Sequence, residues 1–131
     1  IRREKATSNI CTSQGRMCLH VAAYLSLMGK HGLKEVNKIS YAAAHELKNR
    51  LLELNCFEEV YPNKPFLNEF TLKYTGTWKV ADLQEALGYQ GFIAGVQAEG
   101  KTNEIIFAAT ENRTIEEISR FANAISIGGN C

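Results

Sequence analysis

The sequence has little of what marks several large protein classes. Its 131 residues contain 2 prolines and 10 glycines, too few for a collagen-like or low-complexity chain. No apolar run approaches the roughly 20 residues that a membrane-spanning helix needs, and the first residues lack the layout of a secretory signal peptide. We therefore expect a chain without a membrane segment, located in the cytoplasm.

The charge of the chain is almost balanced. Lysine and arginine total 15, aspartate and glutamate total 14, and the formal net charge is +1. Nucleic-acid-binding domains carry a basic surface, whereas here the short cluster of Arg2, Arg3 and Lys5 is interrupted by Glu4, so no nucleic-acid partner is predicted. An apolar content of 45% suits one ordinary globular domain over residues 1–131. Because the chain begins with Ile1, we expect a piece of a longer polypeptide.

The cysteines and histidines show no pattern of a disulfide framework or a metal site. The four cysteines are Cys11, Cys18, Cys56 and Cys131, without a CxxC motif. Two of them fall on a predicted helix, which favours small core side chains, so we expect reduced thiols. His20, His31 and His45 are far apart and form no HExxH motif, so no metal site is predicted.

Two helices are predicted in the first 54 residues. Apolar residues at three- and four-residue steps indicate one over residues 10–28, and Gly29 offers the left-handed conformation that commonly ends a helix. A second is predicted over residues 33–54, with its charged residues mostly off the apolar face. The connection between them is short, so the two should lie side by side, antiparallel or at a steep angle.

The period of the apolar residues then changes from about 3.6 to about 2. This predicts antiparallel strands over residues 57–61 and 68–74, a short helix over residues 80–87 closed by Gly88, and a glycine-bounded strand over residues 91–95. The near-continuous apolar run of residues 105–109 is typical of a central strand covered on both faces.

The last predicted helix begins with a capping box. Thr114 stands at the N-cap and Glu117 three residues later, and in this arrangement each side chain bonds the other residue's backbone N–H. The predicted core face consists of Ile115, Ile118, Phe121, Ala122 and Ile125, and a flexible tail is expected over residues 126–131. This order of elements predicts an α+β fold, a two-layer sandwich with helices packed on a small antiparallel or mixed sheet.

The opening segment carries a family resemblance. Residues 2–12, Arg-Arg-Glu-Lys-Ala-Thr-Ser-Asn-Ile-Cys-Thr, resemble the start of the C-terminal part of glycine dehydrogenase (decarboxylating) subunit 1. That family is the alpha half of the split P-protein of the glycine cleavage system. Residues 61–62 with 65–70, residues 91–95 and residues 108–118 resemble the same family, so the likeness covers most of the chain.

The resemblance implies a fold and a function. The fold would be that of the C-terminal small domain of aspartate-aminotransferase-like enzymes, which use pyridoxal phosphate. The whole enzyme would decarboxylate glycine on pyridoxal phosphate and pass the aminomethyl group to the lipoyl group of H-protein. The cofactor would be bound through a lysine of the partner, glycine dehydrogenase subunit 2, in a heterotetramer of two alpha and two beta subunits. This chain alone is then expected to hold no cofactor and to be inactive.

The candidate site residues lie in the opening segment. Thr7, Ser8 and Asn9 are N-cap residue types, and the N–H groups at a helix start can also face an anion. With Arg3 they are our candidates for the lip of an active site or for a subunit interface, and plain capping with an exposed arginine is the alternative. Lys5 is expected to be solvated or ion-paired, because nothing nearby supplies the other groups that a pyridoxal phosphate site needs.

Two other functions stay open. The chain also suits the small domain of another pyridoxal phosphate enzyme of the same fold, although residues 3–12 are not expected in a transaminase. It also suits a non-catalytic protein-interaction module, which predicts a closed hydrophobic surface on a folded monomer. The sequence contains no GxSxG motif and no P-loop, and no residue of the chain is predicted to be catalytic.

Overall fold

The fold combines three helices with one four-stranded sheet. A computed structural model describes residues 14–128. Its elements are α1 (Gly15–Glu53), β1 (Phe57–Glu59), β2 (Glu69–Tyr74), α2 (Val80–Tyr89), β3 (Val96–Gln97), β4 (Glu104–Ala108) and α3 (Ile115–Gly128). The sheet order is β1-β2-β4-β3 and each neighbouring pair is antiparallel. The predicted α+β class is therefore confirmed.

Contacts divide the chain into two compact units, residues 1–35 and 36–131, with the boundary inside α1. Whether residues 1–131 form one domain stays a prediction. In the first unit Gly29 has a φ of 57° and a ψ of −173°, which interrupts the helical geometry. The predicted break at Gly29 is thus confirmed. The predicted connection after it is wrong, because the residues that follow Gly29 return to the helix at once.

The described part of the first unit exposes large apolar side chains. They lie on the first turns of α1 and are Met17, Leu19, Val21, Tyr24, Leu25 and Leu27. Leu19 is 72% exposed and Leu27 is 87% exposed. Such a density of exposed apolar side chains on one helix is typical of a surface that another part of a protein covers. Across residues 14–128, no helix has the length and hydropathy that crossing a membrane requires.

The core of the second unit lies between the three helices and one face of the sheet. Along β2 the side chains of Phe70, Leu72 and Tyr74 are buried, which is the alternation that the sequence predicted. The register places Phe70 opposite Phe107 and Leu72 opposite Ile105, so these side chains share the covered face. Full burial of each large apolar side chain contributes about 1.5–3 kcal/mol.

Three helices close this core with residues that recur at steps of three or four, beside the adjacent pairs Ala43–Ala44 and Ala124–Ile125. The buried helical residues are Ala43, Ala44, Leu47 and Leu51 of α1, Val80, Leu83 and Leu87 of α2, and Ile118, Ala122, Ala124 and Ile125 of α3. This spacing places them on one face of each helix. The predicted short helix is confirmed, but it runs through Gly88 to Tyr89, and the left-handed residue after it is Gly91.

The capping box at the start of α3 is confirmed. The N–H of Glu117 donates to Thr114 Oγ1 at 3.2 Å, and the N–H of Thr114 donates to Glu117 Oε2 at 3.0 Å. Two predictions on this helix are wrong. Ile115 is 62% exposed and does not share the buried face of Ile118, Ala122 and Ile125. Residues 126–128 are helical, and the rest of the expected tail, residues 129–131, lies outside the described residues.

Two strand predictions also need correction. Residues 91–95 are a loop, and the strand that follows is β3, because the positive φ angles of Gly91 and Gly95 do not fit an extended strand. β4 is central as predicted, but only one of its faces is buried. Ile105 and Phe107 point into the core, whereas Ile106 is 37% exposed on the other face.

Candidate functional site

The loop between α2 and β3 is held in place by glycine conformation and hydrogen bonds. Gly91 and Gly95 have φ angles of 81° and 72°, in the left-handed region that glycine occupies without strain. The side-chain amide of Gln84 donates to the carbonyl oxygen of Gly95 at 3.0 Å, and the N–H of Phe92 donates to Leu87 at 3.0 Å. The loop thereby presents Ile93, which is 95% exposed.

This loop forms one wall of an open groove of about 580 Å³. We call it the β4 groove, and its principal lining residues are Phe92, Ile93, Val96, Ile106, Arg113, Arg120 and Phe121. The rings of Phe92 and Phe121 meet edge to face with their centroids 5.4 Å apart. The groove is therefore mainly apolar, with charged residues contributed by α3, by the turn before it and by the first residue of β2.

The charged residues of the β4 groove are partly paired with each other. Arg113 lies 3.7 Å from the carboxylate of Glu117. The guanidinium of Arg120 lies over the ring of Phe92, 5.8 Å from its centroid, and has no ion pair within residues 14–128. The turn that carries Arg113 is tied to α1 by hydrogen bonds between Ser40 and Glu111. Both arginines are thus held at the rim of an apolar surface.

The described residues do not fit pyridoxal phosphate. Its site needs a lysine for the Schiff base, a carboxylate for the pyridine nitrogen and a cradle for the phosphate. No lysine lines the β4 groove. Lys48, beside a smaller cavity of about 160 Å³, forms an ion pair with Glu59 and lies 5.3 Å above the ring of Phe66. A third cavity, of about 540 Å³, is lined by Lys79 but by no carboxylate, so none of these cavities brings the three groups together.

Two of the three histidines make contacts within their own unit of the chain. Nδ1 of His20 lies 2.9 Å from the carbonyl oxygen of Arg16, one turn earlier on the same helix. His45 stacks on Phe66 with ring centroids 4.1 Å apart, and its buried Nε2 has no hydrogen-bond partner within the described residues. Residues 14–128 contain no cluster of histidine, cysteine, aspartate or glutamate that could hold a metal ion.

The prediction for the cysteines is wrong in two respects. Cys18 is a free thiol as expected, but it is exposed where a core side chain was predicted. Cys56 is buried and disulfide-bonded, contrary to the expectation of reduced thiols. Sequence spacing could not reveal this, because residues distant in sequence approach each other only in the fold.

Trp78 and Tyr74 are packing residues near the end of β2. Trp78 is 41% exposed and Tyr74 is 2% exposed, so the indole is partly buried and the phenol ring is fully buried. Burial raises the pKa of the Tyr74 phenol, and a hydrogen bond with the backbone of Trp78 lowers that pKa in part. Neither residue brings a reactive group to the β4 groove.

The candidate residues Arg3, Thr7, Ser8 and Asn9 lie outside the described residues, as does Lys5. The helix start that was predicted next to them also falls outside. Sequence reasoning did not identify the β4 groove. The only sequence signal for it is the pair Gly91 and Gly95, which by sequence pattern alone predicts the two ends of a strand.

Comparisons with known proteins give one consistent result. Residues 1–125 match the family described as glycine cleavage system P-protein. The chain is 36% identical over 127 residues to a probable glycine dehydrogenase (decarboxylating) subunit 1 from Dictyoglomus turgidum, covering 95% of this chain and 28% of the relative. A relative of the same name from Chlorobium limicola is 41% identical over 128 residues, covering 96% and 28%.

A solved structure shows the same likeness. The crystal structure of a glycine decarboxylase (P-protein) of the glycine cleavage system, in inhibitor-bound form, superposes with a TM-score of 0.81 at 36% sequence identity. The superposition covers 97% of this chain and 29% of that chain. This chain therefore spans less than a third of the length of the proteins it resembles, and the family resemblance predicted from its sequence is confirmed.

Proposed function

Because the chain belongs to the glycine cleavage system P-protein family, we propose that it is the C-terminal domain of a glycine dehydrogenase (decarboxylating) subunit 1. The observation that carries this proposal is the extent of the likeness. Almost the whole chain superposes on a P-protein, yet it accounts for only a part of that protein. The chain then works as one section of a larger subunit.

The reaction that we propose for the whole enzyme is the decarboxylation of glycine, with transfer of the remaining aminomethyl group to the lipoyl group of H-protein. Pyridoxal phosphate supplies the electron sink for this chemistry. We assign the lysine that holds it to the partner, glycine dehydrogenase subunit 2, in a heterotetramer of two alpha and two beta subunits. Location in the cytoplasm is part of the same proposal.

The contribution of this chain is structural, because its described residues do not form a cofactor site. We assign the exposed apolar side chains of α1, from Met17 to Leu27, to contact with the rest of the subunit. Burial of one leucine there would contribute about 1.5–3 kcal/mol. Arg3, Thr7, Ser8 and Asn9 are assigned to the lip of the active site. The chain alone is expected to be inactive.

The alternative of an independent interaction module is less well supported. That alternative predicts a closed hydrophobic surface, whereas Leu19, Leu27 and Ile93 are each more than two thirds exposed. The other alternative, a small domain of a different pyridoxal phosphate enzyme, does not account for relatives that share one name at 35–41% identity.

The proposed function is tested with the full-length subunit and its partner subunit. Glycine-dependent exchange of labelled carbon dioxide is measured for each subunit alone and for the mixture. We expect exchange only in the mixture, because the cofactor lysine belongs to the partner. Absence of exchange with any partner subunit would overturn the assignment.

A further inference from the structure

We propose that the β4 groove is a docking surface for the part of the same subunit that lies outside this chain. The inference rests on the proposed function, because it requires that longer subunit. It concerns a different surface from the exposed side chains of α1 and assigns a covering partner to Ile106 and Ala108, the exposed residues of β4 that line the groove.

The composition of β4 indicates a covering layer on each of its faces. Residues 105–109 contain no polar side chain, which is typical of a strand covered on both faces. Within the described residues only one face is covered, since Ile106 is 37% exposed and Ala108 is also exposed. The sequence of β4 is therefore that of a strand covered on both faces, whereas the described residues cover only one face.

The exposed apolar surface continues from β4 onto its neighbours. Val96 pairs with Ile106 across the sheet and is 66% exposed, and Ile93 precedes it on the loop. The glycine conformations and the hydrogen bond from Gln84 hold this loop in place. Ile93 is thus presented to the outside by a fixed backbone, which lowers the entropy cost of contact.

The charges of the groove favour an apolar polypeptide over a free anion. The four charged residues that line it are Glu69, Arg113, Glu117 and Arg120, and their formal charges cancel. Arg113 is already paired with Glu117. Arg120 lies on the ring of Phe92 without a carboxylate partner within residues 14–128. We infer that the covering segment presents apolar side chains to Ile93 and Val96 and a carboxylate to Arg120.

The length of the relatives identifies the occupant as the same polypeptide. This chain spans 28% of the relative from Dictyoglomus turgidum, so most of such a subunit lies outside it. A covalently linked segment is present at an effective concentration in the millimolar range, and it needs no recruitment. A second copy or the partner subunit would have to associate first.

The test uses the full-length subunit with Ile93→Cys and, as a matched control, Ile127→Cys, which replaces an isoleucine 84% exposed on α3 away from the groove. Labelling by a thiol reagent is followed at each site by mass spectrometry, in the native subunit and after unfolding. We expect native Ile93→Cys to react at least about tenfold more slowly than the same variant unfolded, because a covered site reacts only on local opening. Val96→Cys is a second probe of the groove.

Each other outcome overturns the proposal. Equal rates in the native and unfolded subunit would show that nothing covers the groove. Protection only after addition of the partner subunit would assign the groove to that subunit, and protection that rises with protein concentration would assign it to a second copy. Carbon dioxide exchange is measured on the same samples. Exchange with an unprotected Ile93→Cys site would refute the docking inference alone and leave the proposed function standing.

Discussion

Ser40 on α1 and Glu111 in the turn before α3 are hydrogen-bonded to each other twice, although 71 residues separate them. The Ser40 hydroxyl donates to Glu111 Oε2 at 3.2 Å and accepts from the Glu111 N–H at 3.1 Å. Ser40 is 7% exposed and is the one buried polar residue among those that the structure describes. This pair fixes the turn that carries Arg113 against α1.

Replacement of Ser40 by alanine should destabilise the second unit by about 1–2 kcal/mol, because the Glu111 N–H loses its acceptor. Urea unfolding of this chain measures the change in the free energy of unfolding. Ser126→Ala, at an exposed position of α3, is the matched control and should change it by less than about 0.5 kcal/mol. Equal effects of the two substitutions would show that the Ser40 pair does not stabilise the fold.

Alanine substitutions at Gly95 and Gly100 distinguish two contributions to the free energy of unfolding, the strain of a positive φ angle and a steric clash. Both have φ angles near the left-handed region, 72° and 71°. A Cβ on Gly95 would lie 2.5 Å from the Ile106 backbone oxygen, whereas a Cβ on Gly100 would meet no atom within 4 Å. Gly100→Ala should cost about 1–2 kcal/mol from strain alone.

Gly95→Ala should cost about 1–3 kcal/mol more than Gly100→Ala, because β4 or the loop must move to relieve the contact. Thermal unfolding of the two variants beside the unchanged chain measures this difference. Similar melting temperatures for the two variants would contradict the close approach of the loop to β4.

Tyr74 makes the free energy of unfolding depend on pH in the alkaline range. Burial raises its pKa above the ordinary value of 10.0, so the folded state keeps the phenol proton to a higher pH than the unfolded state does. This contribution to stability is fully present below about pH 10 and is lost as the pH rises through the folded-state pKa. Tyr74→Phe should flatten the fall in stability above that pH.

The matched control for this prediction is Tyr89→Phe, since Tyr89 is 85% exposed. Urea unfolding at a series of pH values between about 8 and 11 gives the slope for each variant. A slope that is the same for Tyr74→Phe and Tyr89→Phe would show that the buried phenol does not control the pH dependence.

Features set by neighbouring residues were predicted well from the sequence. The reciprocal bonds of Thr114 and Glu117 depend on residues three apart, and the alternation along β2 depends on residues two apart. Gly29 was identified as a break because its conformation is a local property. The α+β class followed from these elements, since their order and apolar periods restrict the layers that can form.

Features set by distant residues were not predicted. The β4 groove unites a loop at residues 91–95 with Arg113 and Arg120, and no local pattern joins them. The disulfide of Cys56 was missed for the same reason. The error on β4 has a different origin. We propose that the exposed face of β4 is covered in the longer protein, and this would explain why the whole run of residues 105–109 is apolar.

We propose that this chain is a non-catalytic domain of a P-protein and that Arg3 and Asn9 act at the active-site lip of the whole enzyme. This proposal is tested most directly by glycine-dependent exchange of labelled carbon dioxide in the mixture of full-length subunit and partner, with Arg3→Ala and Asn9→Ala. The matched controls are Arg50→Ala, which removes a surface pair with Glu46, and the exposed Asn49→Ala.

We predict that Arg3→Ala and Asn9→Ala lower kcat/KM by about tenfold or more, as the loss of a hydrogen bond to a charged group would. The two controls should retain the rate of the unchanged enzyme. Unchanged exchange in all four variants would contradict a role of the opening segment at the site, and no exchange in any mixture would contradict the functional assignment itself.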